Sequence, residues 1–147
     1  MADTQFYTKD AAKAKALVVQ TALATSKLHL TKDPFVPNAF STKAELLAAE
    51  ADFDGYSTAG YALAAWTGPD NNLPGGYLIT SPAIHVAYAT PAGIPVTNII
   101  TGWWVATTAG DVWLAGTFSP TITLAAVGDA FTWIRGIVEG FNVPPPG

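Results

Sequence analysis

The sequence predicts a mainly β chain: an antiparallel β-sandwich or barrel, jelly-roll-like, with one or two α-helices at its N-terminal end. Seven short segments rich in β-branched and aromatic residues follow Gly55, each closed by Gly, Pro, Asn, Asp or Ser. Residues 99–105 alternate about a strand axis, with Ile99, Thr101, Trp103 and Val105 on one face and Ile100, Gly102 and Trp104 on the other. Before Gly55, by contrast, the chain is rich in Ala, Leu and Lys, the better helix formers.

Along the chain, residues 10–26 read as a helix, with Leu17, Val18, Leu23 and the alanines as its apolar side and Asp10 at the end where the helix dipole favours a carboxylate. Leu28-His29-Leu30 alternates as a short strand, and Pro34 and Pro37 stop it and impose an extended linker. A second helix is predicted at 42–51, opened by the capping-box pattern Thr42-x-x-Glu45 and closed near Asp52-Phe53-Asp54-Gly55. The strand segments are 56–66, 77–80, 83–89, 98–106, 112–118, 121–126 and 130–138. Their turns are at 68–72, 74–76, 81–82, 91–93, 109–111, 119–120 and 128–129, and Thr107–Asp111 is the best hairpin candidate. Both faces of 99–105 are apolar, which predicts burial on both sides, by a second sheet or by another subunit. The Val143-Pro144-Pro145-Pro146-Gly147 tail cannot join a sheet and is expected to run extended. The 147 residues suit one domain: a helical segment over 1–55 packed on a β-sandwich over 56–138, then a tail over 139–147.

Composition narrows the function. Half the residues are hydrophobic and 12% are charged, against about 25% in average soluble proteins. A surface so neutral repels its own copies weakly, which suits a protein packed against neighbours. Charge is uneven: residues 1–43 hold six lysines and three acids, and the remainder holds Arg135 and eight acids. This split can orient head-to-tail contacts, or can simply be two solvated faces. No cysteine is present, which removes disulfides and thiol chemistry. No apolar run approaches the ~20 residues of a membrane helix, and the polar start MADTQFYTKD does not read as a secretory signal.

Chemistry is sparse. His29 and His85 both sit inside predicted strands among aliphatic neighbours, and no G-x-S-x-G elbow surrounds a serine. An enzyme would need a pocket joining one of these histidines to a carboxylate. Asp52-Phe53-Asp54 and Asp70-Asn71-Asn72 cluster oxygens but fall short of the six to eight ligands of a calcium loop, and Asp and Asn are ordinary turn formers. Gly75-Gly76 belongs to no phosphate-binding motif. A single base after residue 43 argues against nucleic-acid binding. No cofactor is expected. The aromatic excess is the strongest signal: all five tryptophans, Trp66, Trp103, Trp104, Trp113 and Trp133, lie after Gly55. Adjacent Trp103 and Trp104 must point to opposite faces, so one fills the core and the other is exposed unless a sugar, a neighbouring subunit or the N-terminal helix covers it.

Several segments share a pattern with a known group. Leu28-His29-Leu30 with Thr31-Lys32-Asp33, then Asp52-Phe53-Asp54-Gly55-Tyr56 and a segment ending at Trp66, resembles an L-x-L-F-x-N-D-like opening followed by F-x-G-Y. Residues 98–105 and 111–118 resemble I-Y-G-Y and L-L-W-A-E-x-F strands, and Val127-Gly128-Asp129-Ala130 resembles a late turn. These are motifs of a family of small virion proteins of tailed phages and related viruses, mostly without assigned activity. Two departures stand out: Trp103-Trp104 replaces a tyrosine-rich form, and Gly116 stands where an acid is common.

The resemblance covers roughly residues 15–138 and implies a non-enzymatic, self-associating virion protein packed with other structural proteins on a capsid or tail. The residues expected at its interfaces are Trp103 or Trp104, Trp113 and the tail prolines Pro144, Pro145 and Pro146. The alternative is a carbohydrate-binding or adhesin module, whose mark would be a flat row of exposed tryptophans flanked by Asn and Asp.

Overall fold

The computed structural model describes residues 8–53, 55–70, 75–89 and 98–140, so the proline-rich tail and Asn71-Asn72 lie outside the described residues. Its described residues are mainly β, with antiparallel sheets and two helices, as the sequence predicts. Its described residues cluster into two compact units, and the chain passes repeatedly between them: one unit is drawn from Met1–Ala24, Ala64–Pro82 and Ile134–Gly147, the other from Thr25–Leu63 and Ala83–Trp133.

The first unit contains α1 (Lys9–Leu23). Thr8 caps it, its hydroxyl accepting the Ala11 N–H at 3.2 Å. The buried stripe is Ala12, Ala16 and Leu23, spaced for one helix face. Leu17 and Val18, expected on the apolar side, are exposed instead. Helical periodicity could not rank the competing apolar residues; the small Ala12 and Ala16 face the protein where α1 packs on a three-stranded sheet. That sheet has β4 (Gly76–Thr80) at its centre, between β3 (Thr67–Asp70) and β9 (Gly136–Gly140). Gln20 clamps the start of β3, donating from Nε2 to the carbonyls of Trp66 (2.9 Å) and Gly68 (3.1 Å). Thr67–Asp70, expected partly as turn, is therefore edge strand, where the Pro69 nitrogen needs no ladder partner.

The second unit contains β1 (Lys27–Lys32), α2 (Lys43–Ala48), β2 (Tyr61–Ala62), β5 (Ile84–Ala87), β6 (Asn98–Ala106), β7 (Val112–Leu124) and β8 (Ala130–Trp133). One sheet has the order β2-β1-β6-β7, and β5 pairs with β8 in another. The 107–111 hairpin forms as predicted: Thr107 N donates to Asp111 O at 3.0 Å, and Gly110 takes φ +88°. The expected break at Ser119-Pro120 is a register shift inside one long edge strand, between Ile100↔Ile122 and Gly102↔Thr117. The expected 130–138 strand is two, since β8 pairs with β5 and β9 with β4. The 56–66 segment is strand only at Tyr61–Ala62. In sequence order the pairs β6·β7, β5·β8 and β4·β9 are nested one within the next.

The core of this unit is built on β6, which is buried on both faces. Trp103 (8% exposed) meets Trp133 edge-on at 5.2 Å on the side of β8, where Phe118 and Phe131 also pack. Trp104 (1% exposed) points the other way, against Leu46 of α2, with Ala106, Phe35 and Val112. The sequence left the outer tryptophan to a sugar, a neighbouring subunit or the N-terminal helix; α2 and the His29 ring cover it. Thr31 and Thr101, both buried, satisfy each other across the β1–β6 ladder (Oγ–Oγ 3.1 Å), and Thr101 also bonds the Phe35 carbonyl.

Gly116 sits opposite Trp103, and a Cβ there would lie 2.5 Å from the indole. Trp103 and Gly116 are therefore counterparts: the indole occupies the volume that any side chain at 116 would need. Gly116→Ala is expected to cost about 1–3 kcal/mol by overpacking. In a Trp103→Phe background the cost should fall clearly, and equal costs in a denaturant double-mutant cycle would refute this packing. A second prediction concerns the turn between β7 and β8, where Asp129 accepts from the N–H groups of Ala125 (2.8 Å) and Ala126 (2.9 Å), bonds that lower its pKa. Its stabilisation is complete above the unfolded carboxylate pKa of about 3.9 and is lost as pH falls through the lower folded value. Asp129→Asn should therefore flatten that acidic part of the stability–pH curve, measured by thermal melts, and leave a smaller change with pH there than the parent shows.

Candidate assembly surface and the His29 network

The edge of the four-stranded sheet is β7, thirteen residues without a charged side chain. Among the described residues no strand pairs with its outer side. Trp113, Ala115, Thr117, Ser119, Thr121 and Thr123 are exposed along it. Trp113 is 43% exposed. Beside it, the linker at 33–41 is less extended than expected: Pro37 is buried over Gly102, and residues 38–41 close a turn. In that turn Ser41 N donates to Asn38 O (3.1 Å), and Asn38 Oδ1 accepts from Phe40 N (2.8 Å). The turn holds Phe40 at its tip, 92% exposed. Between the turn and β7 runs a groove of about 410 Å³, lined by Pro37, Asn38, Ser41, Leu46, Trp113 and Ala115 among others.

Of the residues expected at interfaces, Trp113 alone lies on this surface among those described. Trp103 and Trp104 are buried in the chain's own core, and Pro144, Pro145 and Pro146 lie outside the described residues. Trp66 and Trp133 are buried as well, so the described residues present no row of exposed tryptophans. Phe40 was missed by sequence reasoning. Its signal was an aromatic inside an Asn-x-x-Ser turn, where a side chain has no core to reach.

The histidines differ. His85 on β5 is exposed. His29 on β1 is half-buried, its ring stacked on Trp104 at 4.1 Å and 12°. Its Nδ1 lies 2.6 Å from Glu50 Oε1, which also accepts from the Tyr56 hydroxyl at 2.8 Å. The Tyr56 oxygen in turn accepts the Leu30 N–H at 3.0 Å. Residues 49–51 are positioned by pairing with β1, through Lys32 N to Ala49 O and Ala51 N to Leu30 O, both 2.9 Å. Burial, reinforced by the Glu50 carboxylate, pushes the Tyr56 hydroxyl's pKa well above its ordinary value, so it stays protonated and donates. On the other side of the ring, Gly60 closes in on Nε2; a Cβ there would lie 2.8 Å away. Among the described residues no hydroxyl hydrogen-bonds to that nitrogen, and the network joins a histidine to a carboxylate and a tyrosine.

Among the described residues no group of three or more His, Asp or Glu side chains could hold a metal ion, and no helix is long and apolar enough to cross a membrane. Asp52 bonds Lys32, and Asp54 lies outside the described residues. No protein-family model, no curated protein and no solved structure matches the chain.

The Tyr56 hydroxyl is the acceptor for a backbone N–H of β1 as well as a donor to Glu50. Tyr56→Phe should therefore lower stability by about 1–3 kcal/mol, with faster hydrogen exchange at the Leu30 amide. Unchanged exchange at Leu30 would refute that role.

Proposed function

We propose that this chain is a non-enzymatic structural protein that self-associates and packs, with other structural proteins, on the capsid or tail of a virion. The observation that carries self-association is the long uncharged edge of β7. An edge strand presents a row of unpaired N–H and C=O groups, and monomeric proteins usually blunt such edges with lysine, shortness or cover. Here the thirteen-residue edge carries no lysine, and only the Pro120 register shift interrupts it. Pairing two copies of β7 antiparallel about a two-fold axis would extend the sheet and bring the same surface from each subunit together. Trp113 and Phe40 add large apolar groups beside that edge, and aromatics of this kind dominate binding energy at interfaces. The low overall charge reduces repulsion between copies.

The virion setting rests on the resemblance of the strand motifs to small phage virion proteins. Sugar stacking has less support, because Trp113 is the single exposed tryptophan among the described residues.

Light scattering coupled to size exclusion tests the self-association. The parent protein is expected to run as a multiple of 15.3 kDa. Thr117→Lys with Thr121→Lys, or Phe40→Ser with Trp113→Ser, should shift it toward the single-chain mass. A parent that stays monomeric at high concentration, and that fails to join capsid or tail proteins of its virus in native mass measurements, would overturn the reading.

A further inference from the structure

On the face of the sheet that carries Trp104 lies a second cavity, of about 410 Å³, within the range of small-molecule sites. Its ionisable lining is all basic or imidazole: Lys27, Lys43 and His29. Lys43 reaches across to the 107–111 turn, where a Cβ on Gly110 would sit 2.6 Å from its Nζ. Neither Lys27 nor Lys43 forms a salt bridge among the described residues, and no carboxylate lines the cavity. Glu50, which touches the lining through His29, has its Oε1 engaged by His29 and Tyr56. Thr107 adds a hydroxyl to the lining, while the Thr108 hydroxyl donates to the Thr25 carbonyl at 3.1 Å and holds that part of the wall together. Trp104, Leu47 and Ala106 form an apolar wall, with the His29 ring held flat against the indole.

Two cations without a protein counter-charge beside a flat aromatic wall fit one ligand chemistry. We propose that this cavity binds a small organic anion, a carboxylate carried on a planar apolar body. The lysines take the carboxylate, the Thr107 hydroxyl donates to it, and the apolar wall takes the ring. The Glu50–His29 contact fixes the imidazole so that the wall is preformed.

The test titrates the intact protein with benzoate, benzamide and inorganic phosphate while amide and indole NMR signals are followed. Benzoate should shift the Trp104 indole and the amides of Thr107 to Gly110, and should bind at least about tenfold more tightly than either comparison molecule. Lys27→Gln combined with Lys43→Gln, both at exposed positions, should weaken benzoate by on the order of tenfold or more, whereas Lys13→Gln on α1 should leave it unchanged. Equal binding of benzamide would remove the anion requirement, and equal binding of phosphate would remove the aromatic one. Shifts mapping elsewhere, or an unaffected double variant, would overturn the site. Dissociation of oligomers by benzoate would assign the cavity to a carboxylate of a second copy and would also overturn it.

Discussion

The double burial of β6 is the constraint from which most of the second unit follows. Adjacent residues of a strand project to opposite faces, so Trp103 and Trp104 each demand a separate apolar enclosure. Each indole removes roughly 200 Å² from water, worth about 5 kcal/mol at 25 cal/mol per Å² before ordering costs. One enclosure is on the side of β8, through Trp133. The other is α2 with Phe35, Val112 and the His29 ring. A glycine at 116 and a proline at 37 are consequences, since both mark points where a neighbour comes within contact distance of β6 or its partner strand.

Polar groups inside this packing are handled locally. Thr31 and Thr101 bond to each other and to nearby carbonyls. Glu50 is placed by main-chain pairing of its neighbours with β1, which brings its carboxylate to both His29 and Tyr56. A half-buried carboxylate loses part of its hydration, and its two hydrogen-bond partners offset that loss. The same arrangement presents the imidazole as a flat stacking partner for Trp104, so a charged residue helps complete an apolar wall.

The surface is divided by the same logic. Four tryptophans are buried, and among the described residues the aromatic groups left exposed are Trp113 on the β7 edge and Phe40 on a turn fixed by Asn38 and Ser41. Neither can be drawn inward: β7 is paired on one side only among the described residues, and the turn is closed by its own hydrogen bonds. Unpaired backbone and exposed rings therefore fall side by side, next to a groove, on a chain that carries little charge.

Residue pattern alone was enough for the mainly β class, both helices, the two-sided burial of β6 and the 107–111 hairpin, because periodicity, capping and turn chemistry act over a few neighbouring residues. It misread lengths where distant pairing decides. The 56–66 segment contributes two strand residues, Ser119-Pro120 is absorbed into one long strand, and 130–138 splits between two partners. It also placed one of the adjacent tryptophans at risk of exposure, since only the return of α2 over the sheet reveals its cover. The pairing of Glu50 with His29, the closeness of Lys43 to Gly110 and the isolation of Phe40 depend on contacts between segments far apart in sequence. Local propensity sets which residues form strands and helices; long-range burial alone decides which faces are hidden and which remain to meet a partner.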